Sequence, residues 1–303
     1  MAPAPAVPPV PEAVAAVVVD HDTGPLLSGC VRSLLDDGAA TVVVVENGAP
    51  GGAEAALGDL LTDGPAGRVR VVRPGANLGY GAGVNRGLAA LAGSSGPTPE
   101  WVLVSNPDLE VHPGTLDALR RALEANPAWA LVGPRIFTDA GEVYPSVRAF
   151  PSFTDAAGHA LLAVFKPDNP FTKRYNPGTP EGDVVTGAGW VSGSCFLARR
   201  RALEELGGFD EAYFMYLEDT DLCWRAHHAG WGVGFAGTAA VTHVQGVSTA
   251  RDPYRMMFAH HRSALRFTFR TTTGWRRLAL PLAVLVLGAR LAMATLRIAR
   301  AGA

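Results

Sequence analysis

Apolar residues in the first half of the chain form short continuous runs that alternate with helical patterns. Four such runs predict buried strands, at residues 13–19, 41–45, 69–72 and 101–104. Apolar positions with helical spacing predict helices at 25–35, 81–91 and 114–124. Strands that are apolar throughout and alternate with helices are typical of a parallel sheet covered on both faces. The pattern therefore predicts an α/β fold, in which ligands bind at the carboxyl ends of the strands.

The second half of the chain loses this regular alternation. After an extended piece at 130–134, residues 137–182 are rich in Pro, Phe, Tyr and Asn with little periodicity. This composition predicts a long loop over the ligand site, in which 159–165 is apolar enough to form an interfacial helix. Extended, core-like sequence resumes at 184–197 and leads into a helix at 199–206 that two glycines end.

Three parts are expected: a disordered Pro- and Ala-rich terminus at 1–12, one α/β domain at 13–250 and a helical tail at 251–303. The 303 residues are 48% hydrophobic and 18% charged, which is typical of one large globular domain. The terminus has no basic n-region, so we do not expect a signal peptide. Cys30, Cys195 and Cys223 show no paired zinc-site spacing, which favours a reduced, cytosolic setting.

The net charge of −2 conceals an uneven distribution along the chain. Residues 251–303 contain ten Arg and one acid, Asp252, whereas the first 250 residues carry 16 basic and 27 acidic side chains. A basic tail indicates an anionic partner, and the apolar run at 278–289 favours lipid headgroups over nucleic acid. This run is shorter than a spanning helix, contains Pro281 and is followed by Arg290, so we predict that it lies on or dips into the membrane without crossing. The alternative is a helix packed on the protein's own core.

Carboxylates are most densely grouped between Gly207 and Gly230, where aromatic residues surround them. The acids of this stretch are Asp210, Glu211, Glu218, Asp219 and Asp221. Carboxylates crowded beside aromatic rings have raised or coupled pKa values, as a general base working near neutral pH requires. The stretch is therefore the leading candidate for catalytic chemistry.

This stretch and residues 191–200 (Val-Ser-Gly-Ser-Cys-Phe-Leu-Ala-Arg-Arg) resemble the second half of the inverting nucleotide-sugar glycosyltransferases of family 2. Two further strings occur in the family's order: residues 77–87 resemble its Asn-x-Gly…Asn-x-Gly signature, and Asn106-Pro107-Asp108 stands where it has Asp-x-Asp. The resemblance covers 13–269 and implies a GT-A fold, a Rossmann-like mostly parallel sheet with flanking helices, here followed by the membrane-associating tail. The strings are most similar to a rhamnosyltransferase-like branch of the family. This resemblance implies dTDP-L-rhamnose as donor and polyprenyl-diphosphate-linked N-acetylglucosamine as acceptor.

The resemblance also implies roles for particular residues. Asp219 is the base that takes the acceptor proton, and Glu218 orients it or exchanges roles with it. Asp108 and His243 hold Mg²⁺ or Mn²⁺, His243 lying in a His-x-x-Gly-x-Ser string of the same branch. Acceptor contacts fall on Trp190, Gly193 and Arg262, with Arg266 as the alternative to Arg262 for contact with a lipid diphosphate. Contacts with the nucleotide-sugar fall on Val19, His21, Glu46, Asn77, Gly79, Asn85 and Asn106.

Several of these positions depart from the family pattern or have ordinary structural explanations. Glu46 stands where the family has Asp, and His21 where it has Tyr. Asn-Pro-Asp is also a common turn sequence, and a lone His such as His243 is often structural. Glycines at 79–87 let backbone amides approach phosphate at a helix N-terminus. The same stretch contains Gly-x-Gly-x-x-x-Gly, a partial dinucleotide-binding fingerprint. That fingerprint normally opens the first strand–helix–strand unit, whereas this one follows the third strand.

Two alternatives to a glycosyltransferase therefore stay open: a nicotinamide-dependent oxidoreductase, and a non-catalytic, membrane-bound nucleotide-binding module. The expected location is peripheral, at the cytoplasmic face of the plasma membrane. No nucleic-acid partner is expected, and self-association into a homodimer is left open.

Overall fold

The computed structural model describes residues 13–61, 67–93, 99–150, 166, 169–171, 178–244 and 252–301. Three expectations lie outside these residues: disorder at 1–12, the interfacial helix at 159–165, and the part of the His243 string beyond residue 244.

The first half of the chain forms the expected alternation of strands and helices. The predicted elements have bounds within one residue of those expected, and the short helix Gly52–Leu57 is an additional one that the pattern did not predict. The elements are β1 (Val14–Asp20), α1 (Pro25–Asp36), β2 (Thr41–Glu46), α2 (Gly52–Leu57), β3 (Val69–Val72), α3 (Tyr80–Ala92) and β4 (Trp101–Ser105). The strands pair in parallel in the order β3-β2-β1-β4. A 3₁₀ turn, Gly58–Leu61, follows α2.

The second half of the chain extends this sheet with mixed strand directions. Its elements are β5 (Leu109–Val111), α4 (Thr115–Ala125), β6 (Trp129–Thr138), β7 (Val143–Tyr144), β8 (Val147–Arg148), β9 (Val185–Ala188), β10 (Trp190–Val191), β11 (Cys195–Arg199), α5 (Arg200–Glu205), α6 (Glu218–His228) and β12 (Gly232–His243). The order continues β4-β11-β6-β12-β5. β11 is antiparallel to both β4 and β6, whereas β12 is parallel to β6. The sheet is thus purely parallel in its first half and mixed in its second half.

Strand β12 is much longer than its sequence suggested, since only residues 239–241 resembled a strand. Its start is rich in glycine, and the reason lies in the neighbouring strand. A Cβ at Gly234 would lie 2.1 Å from the Trp129 ring, and one at Gly232 would lie 2.5 Å from it. The glycines give Trp129 the space to lie against β12.

Apolar side chains cover both faces of the sheet, as the continuous runs predicted. On β1, Val14, Ala16 and Val18 join the layer that contains α1, α2 and α4. Ala15, Val17 and Val19 join the layer that contains α3, α5 and α6. Because successive residues of a strand point to opposite faces, β1 is buried on both sides.

The tail forms helix α7 (Pro253–Thr271), a 3₁₀ turn (Gly274–Ala279) and helix α8 (Leu280–Ala301). Helix α8 contacts α7, but none of its described side chains is buried, and five large apolar ones are exposed: Leu282, Val284, Leu285, Met293 and Leu296. The expected alternative of a helix packed on the core is therefore wrong. Residues Gly274–Leu296 are also long and apolar enough, by length and composition, to cross a membrane. The predicted run was too short because it stopped at Arg290, although a long cationic side chain does not end an apolar helix.

Candidate active site

The candidate site lies where the order of the strands reverses. After β1 the chain adds β2 and β3 on one side and then returns to add β4 on the other. The carboxyl ends of β1 and β4 are therefore neighbours, and the crevice between them is where ligands bind in such sheets. Asp20 ends β1, and Asn106 follows β4.

At the ends of β1 and β2 the predicted nucleotide-sugar residues lie close together. Asp20 and Glu46 are register partners on the two strands, and Val19 is buried on β1. His21 Nδ1 lies 3.1 Å from the carbonyl oxygen of Asn47. Glu46 is buried, and its Oε1 accepts a 3.0 Å hydrogen bond from the backbone N–H of Ala53 in the first turn of α2. That carboxylate therefore stabilises α2 through its first turn.

The glycine-rich segment before α3 is fixed by hydrogen bonds within the protein. Asn77 Oδ1 accepts from the N–H of Gly79, and the Asn47 side chain bonds both Leu78 N and Gly79 O. The N–H of Tyr80 donates to the carbonyl of Phe214. Gly79 has a φ of 86°, and a Cβ there would lie 2.2 Å from that carbonyl oxygen. Glycine is required at 79 by this close approach.

The other glycines of this segment serve the packing of α3 against the sheet. A Cβ at Gly83 would lie 2.8 Å from Val19, and one at Gly87 would lie 2.3 Å from Val17. The expectation that these glycines open the backbone to phosphate is corrected accordingly. Because Gly79 and Tyr80 already donate their N–H groups to protein acceptors, these amides are not free for an anion.

Asn85 holds α3 to the loop before the acid pair. Its Nδ2 donates to the Phe209 carbonyl and to Glu211, and its Oδ1 accepts from the Phe209 N–H. Gly208 has a φ of 69°, and a Cβ there would lie 2.4 Å from Asn85 Oδ1. Both N–H groups of the side chain are thus engaged inside the protein, which gives Asn85 a structural role.

Asp108 and His243 meet although 135 residues separate them. The antiparallel pairing of β5 with β12 places His243 opposite Leu109. His243 Nε2 lies 3.1 Å from Asp108 Oδ1 and 3.4 Å from Asn106 Nδ2. Nδ1 of His243 is buried with no hydrogen-bond partner among the described residues.

These donors fit a divalent cation that takes its remaining ligands from elsewhere. One carboxylate and one imidazole leave positions for water and for phosphate oxygens. The oxygen ligands suit Mg²⁺ and Mn²⁺, whereas the imidazole favours a transition metal such as Mn²⁺. Within the described ranges, no group of three or more His, Cys, Asp and Glu is arranged to hold a metal alone.

Glu218 and Asp219 begin helix α6, directly after two residues in the left-handed region, Tyr216 and Leu217. Asp219 Oδ2 accepts a 2.8 Å hydrogen bond from the N–H of Gly193, and Oδ1 accepts one from the N–H of Thr220. A Cβ at Gly193 would lie 2.8 Å from the Asp219 Cβ. Glycine at 193 therefore lets the strand approach the acid.

The segment Gly193–Ser194 connects the three parts of the site. The Gly193 carbonyl accepts a 2.6 Å hydrogen bond from the Tyr80 hydroxyl. The Ser194 carbonyl accepts a 2.8 Å bond from the N–H of Asn106. The acid pair, the segment before α3 and the Asp108 loop therefore share one rigid junction.

The environments of the two acids are different. Burial, with the nearby charge of Asp219, raises the pKa of Glu218 to about 8, and its Oε2 is buried without a hydrogen-bond partner in the described structure. Burial also raises the pKa of Asp219, but hydrogen bonds from Gly193 and Thr220 and the charge of Arg148 oppose this shift. The ionised form is thus favoured at Asp219 over Glu218.

The acceptor-side residues lie on separate elements. Trp190 is buried on β10, with the Arg148 guanidinium 5.1 Å from its ring centroid, and Arg262 is exposed on α7. Sequence reasoning assigned no role to Tyr80, Asn47 or Arg148. Arg148 gave no signal because it lies in the aperiodic segment. Tyr80 and Asn47 lie within strings in which the glycines and Glu46 were interpreted as the functional residues.

The order and direction of the strands define an α/β fold of the GT-A class, with the candidate site at the carboxyl ends of β1 and β4. Two solved structures share the fold: GalNAc-T7 with UDP, GalNAc and Mn²⁺ (TM-score 0.56, 14% identity, 77% of this chain and 44% of that one) and S. aureus TarS (TM-score 0.52, 14% identity, 84% and 40%). At this identity the likeness concerns the fold alone.

The model of the family described as glycosyltransferase like family 2 matches residues 11–266, and the chain belongs to this family. N-acetylglucosaminyl-diphospho-decaprenol L-rhamnosyltransferase of Mycobacterium tuberculosis (strain H37Rv) is 39% identical over 86% of this chain and 85% of its own length. Rhamnosyltransferase WbbL of Escherichia coli (strain K12) is 30% identical over 50% and 56%. The glycosyltransferase prediction is confirmed, and the nicotinamide-dependent oxidoreductase is set aside.

The raised pKa of Glu218 makes stability depend on pH. The folded pKa of about 8 exceeds the ordinary 4.5, so the folded state binds more protons between these values and loses stability as pH rises. We expect the free energy of unfolding of Glu218→Gln, relative to that of the wild type, to rise by about 3 kcal/mol between pH 5 and pH 8. Denaturant unfolding across this range, with chelator present, measures this difference.

The exposed acid Glu110 on β5 provides the control, because Glu110→Gln removes a carboxylate that is not buried. Its margin over the wild type is expected to stay flat with pH. If the difference in unfolding free energy between Glu218→Gln and the wild type also stayed constant with pH, the raised pKa of the buried Glu218 carboxyl would be contradicted.

Proposed function

We propose that this chain transfers L-rhamnose from dTDP-L-rhamnose, with inversion, to N-acetylglucosamine linked through a diphosphate to a polyprenyl lipid. The observation that carries the proposal is the Gly193–Asp219 hydrogen bond, which holds the Asp219 carboxyl group close to the end of β4, where Ser194 bonds Asn106. The donor and acceptor classes are supported by the 39% identical relative, which matches nearly the whole of both chains.

In this proposal Asp219 is the general base. Its carboxylate takes the proton of the acceptor hydroxyl, whose oxygen forms a bond to the anomeric carbon of the sugar. The bond from that carbon to the nucleoside diphosphate breaks, and its electron pair leaves with the diphosphate. Direct displacement of this kind inverts the anomeric centre. Glu218, with its raised pKa, is neutral near pH 7 and orients Asp219 or the acceptor.

Asp108 and His243 would hold Mg²⁺ or Mn²⁺ in this proposal. Such a cation, when bound, stabilises the negative charge that develops on the departing diphosphate. Asn106 contacts the same His243 nitrogen and orients its ring. Val19, His21 and Glu46 border the nucleoside, with Asn77 and Gly79 shaping the adjoining loop, while Trp190, Gly193 and Arg262 face the acceptor.

The tail is proposed to hold the enzyme on the membrane that contains the lipid-linked acceptor, at its cytoplasmic face. Its apolar helix is exposed along Gly274–Leu296. Part of the positive charge of the tail is already paired within the protein, since Arg266 and Arg270 both bond Asp210. Burial of apolar side chains therefore contributes more to membrane association than headgroup attraction does.

Replacing Asp219 tests the base directly. We expect Asp219→Asn to lower transfer by about 10²–10⁴-fold, because an amide cannot accept the hydroxyl proton. Nucleotide binding, followed by thermal shift with dTDP, should stay close to that of the wild type. Product formation from dTDP-L-rhamnose and a short-chain polyprenyl-diphosphate acceptor gives the rate.

The exposed Asp183 supplies the matched control, since Asp183→Asn makes the same chemical change away from the site. Transfer by Asp219→Asn at the wild-type rate would eliminate Asp219 as the base. If Glu218→Gln alone abolished turnover, the two acids would exchange roles.

Removing Asp108 tests the cation site. Mn²⁺ and dTDP together should stabilise the wild type in thermal unfolding more than dTDP alone, and Asp108→Ala should abolish this difference because one of the two protein ligands is lost. Glu110→Ala, an exposed neighbour on β5, should retain it. Wild-type turnover that persists in excess chelator would refute metal dependence, and Lys or Arg would then have to neutralise the diphosphate.

Removing the tail after Thr273 tests membrane association while retaining α7. We expect full-length protein to sediment with phosphatidylglycerol-containing vesicles even at high salt, since apolar burial is not screened. The truncated protein should stay in the supernatant and still bind dTDP. The double variant Leu282→Asp and Leu285→Asp, on the exposed face of α8, should also lose sedimentation. Release by salt would restore the predicted peripheral attachment, and equal sedimentation with and without the tail would remove its role.

A further inference from the structure

Helix α7 of the tail packs along the segment that leads into the acid pair. The contacts join Arg255 with the Phe214 ring, Ser263 with the Met215 carbonyl, and His260 with the Tyr216 ring. The Ser263 hydroxyl donates to that carbonyl at 2.9 Å and is buried. The tail therefore supports the loop from which α6 begins.

This loop has a backbone that needs such support. Tyr216 and Leu217 have φ values of 69° and 62°, in the left-handed region that residues with a Cβ rarely adopt. Residues in this conformation persist where surrounding contacts hold them. Helix α7 supplies contacts on one side, and on the other the Phe214 carbonyl accepts from Tyr80 N.

Arg270 at the end of α7 joins two carboxylates of the acid-rich stretch. Its Nε lies 3.1 Å from Asp221 Oδ1, and its terminal nitrogen lies 2.7 Å from Asp210 Oδ2. Asp221 is fully buried, and Arg225 bonds its other oxygen at 2.7 Å. A buried carboxylate is tolerated when its charge is paired. Loss of Arg270 leaves Asp221 Oδ1 with the neutral Tyr213 hydroxyl, 3.3 Å away, and without its cation.

Two paths connect these contacts to Asp219. Asp221 lies in the same first turn of α6, so the pairing of its carboxylate fixes the direction of that turn. Independently, the loop holds Tyr80, whose hydroxyl donates to Gly193 O, and Gly193 N donates to Asp219. A shift of α7 therefore changes both the helix that carries Asp219 and the hydrogen bond that orients it.

We infer that Arg270 is a positioning residue for the transfer reaction: from the membrane-associating tail it fixes the orientation of Asp219 through Asp221, Asp210 and the loop between them. The inference rests on the proposed role of Asp219 as the base. Helix α7, which joins the α/β domain to the apolar helix α8, thus also determines the orientation of Asp219.

The test compares Arg270→Gln with Arg201→Gln in the full-length chain. Arg201 forms an exposed ion pair with Glu205 on α5, so the control removes the same type of interaction away from the site. We expect Arg270→Gln to lower kcat at least tenfold while the KM for the nucleotide-sugar changes less than twofold. Arg270→Lys keeps the charge but cannot bond both carboxylates through a fork of nitrogens, so its kcat should be intermediate.

Hydrogen–deuterium exchange provides a readout that does not depend on the donor. Peptides covering 213–221 should exchange faster in Arg270→Gln, whereas peptides from β1 should not change. Wild-type kcat and wild-type protection in the variant would overturn the inference. If Arg270→Gln does not fold, the same two measurements, kcat and exchange of peptides covering 213–221, are made on Arg270→Lys, and wild-type values for both would overturn the inference. A wild type inactive toward dTDP-L-rhamnose, together with faster exchange in the variant, would contradict the proposed donor alone.

Discussion

Strand β11 runs antiparallel between β4 and β6, and the rest of the site depends on this placement. It brings Gly193 and Ser194 to the edge where β4 ends. There the two backbone units bond Asp219, Tyr80 and Asn106. Each bond comes from a different part of the chain, and it is made by backbone groups of the turn directly before β11, which have no side-chain rotamers to change. A junction made from backbone groups is more rigid than one made from side chains, which suits the proposed role of Asp219 as a base aligned with a reacting hydroxyl.

The acid pair illustrates how one environment separates two similar groups. Glu218 is buried without a hydrogen bond to its Oε2 among the described residues, whereas Asp219 receives backbone N–H groups on both oxygens. Burying an unpaired carboxyl costs stability, and the left-handed residues before it add to this cost. A protein selected for stability alone would not retain such a turn. Its location at the mouth of the crevice is consistent with catalytic use.

The basic tail acts in two ways. Its arginines were interpreted from the sequence as membrane ligands, but Arg266 and Arg270 instead pair with Asp210 and Asp221 of the acid-rich stretch. Part of the charge asymmetry between tail and body is therefore an internal attraction that docks α7. The exposed apolar helix α8, which follows directly from the docked helix, is left as the element proposed to contact the membrane.

Local sequence determined the first half of the fold, because continuous apolar runs and helical spacing reflect burial by neighbours in the chain. The sequence predicted the bounds of β1 to β4, α1 and α3 to within one residue. The strings that indicate the family could also be read from the sequence alone. Tertiary structure decided what depends on distant contacts: the long glycine-containing β12 beside Trp129, the meeting of Asp108 with His243, and the packing of Gly83 and Gly87 on β1. The sequence does not show whether a glycine approaches a phosphate or a valine side chain. It also does not show whether an arginine contacts lipid or a buried aspartate. Only the neighbour distinguishes them, and strand pairing selects that neighbour.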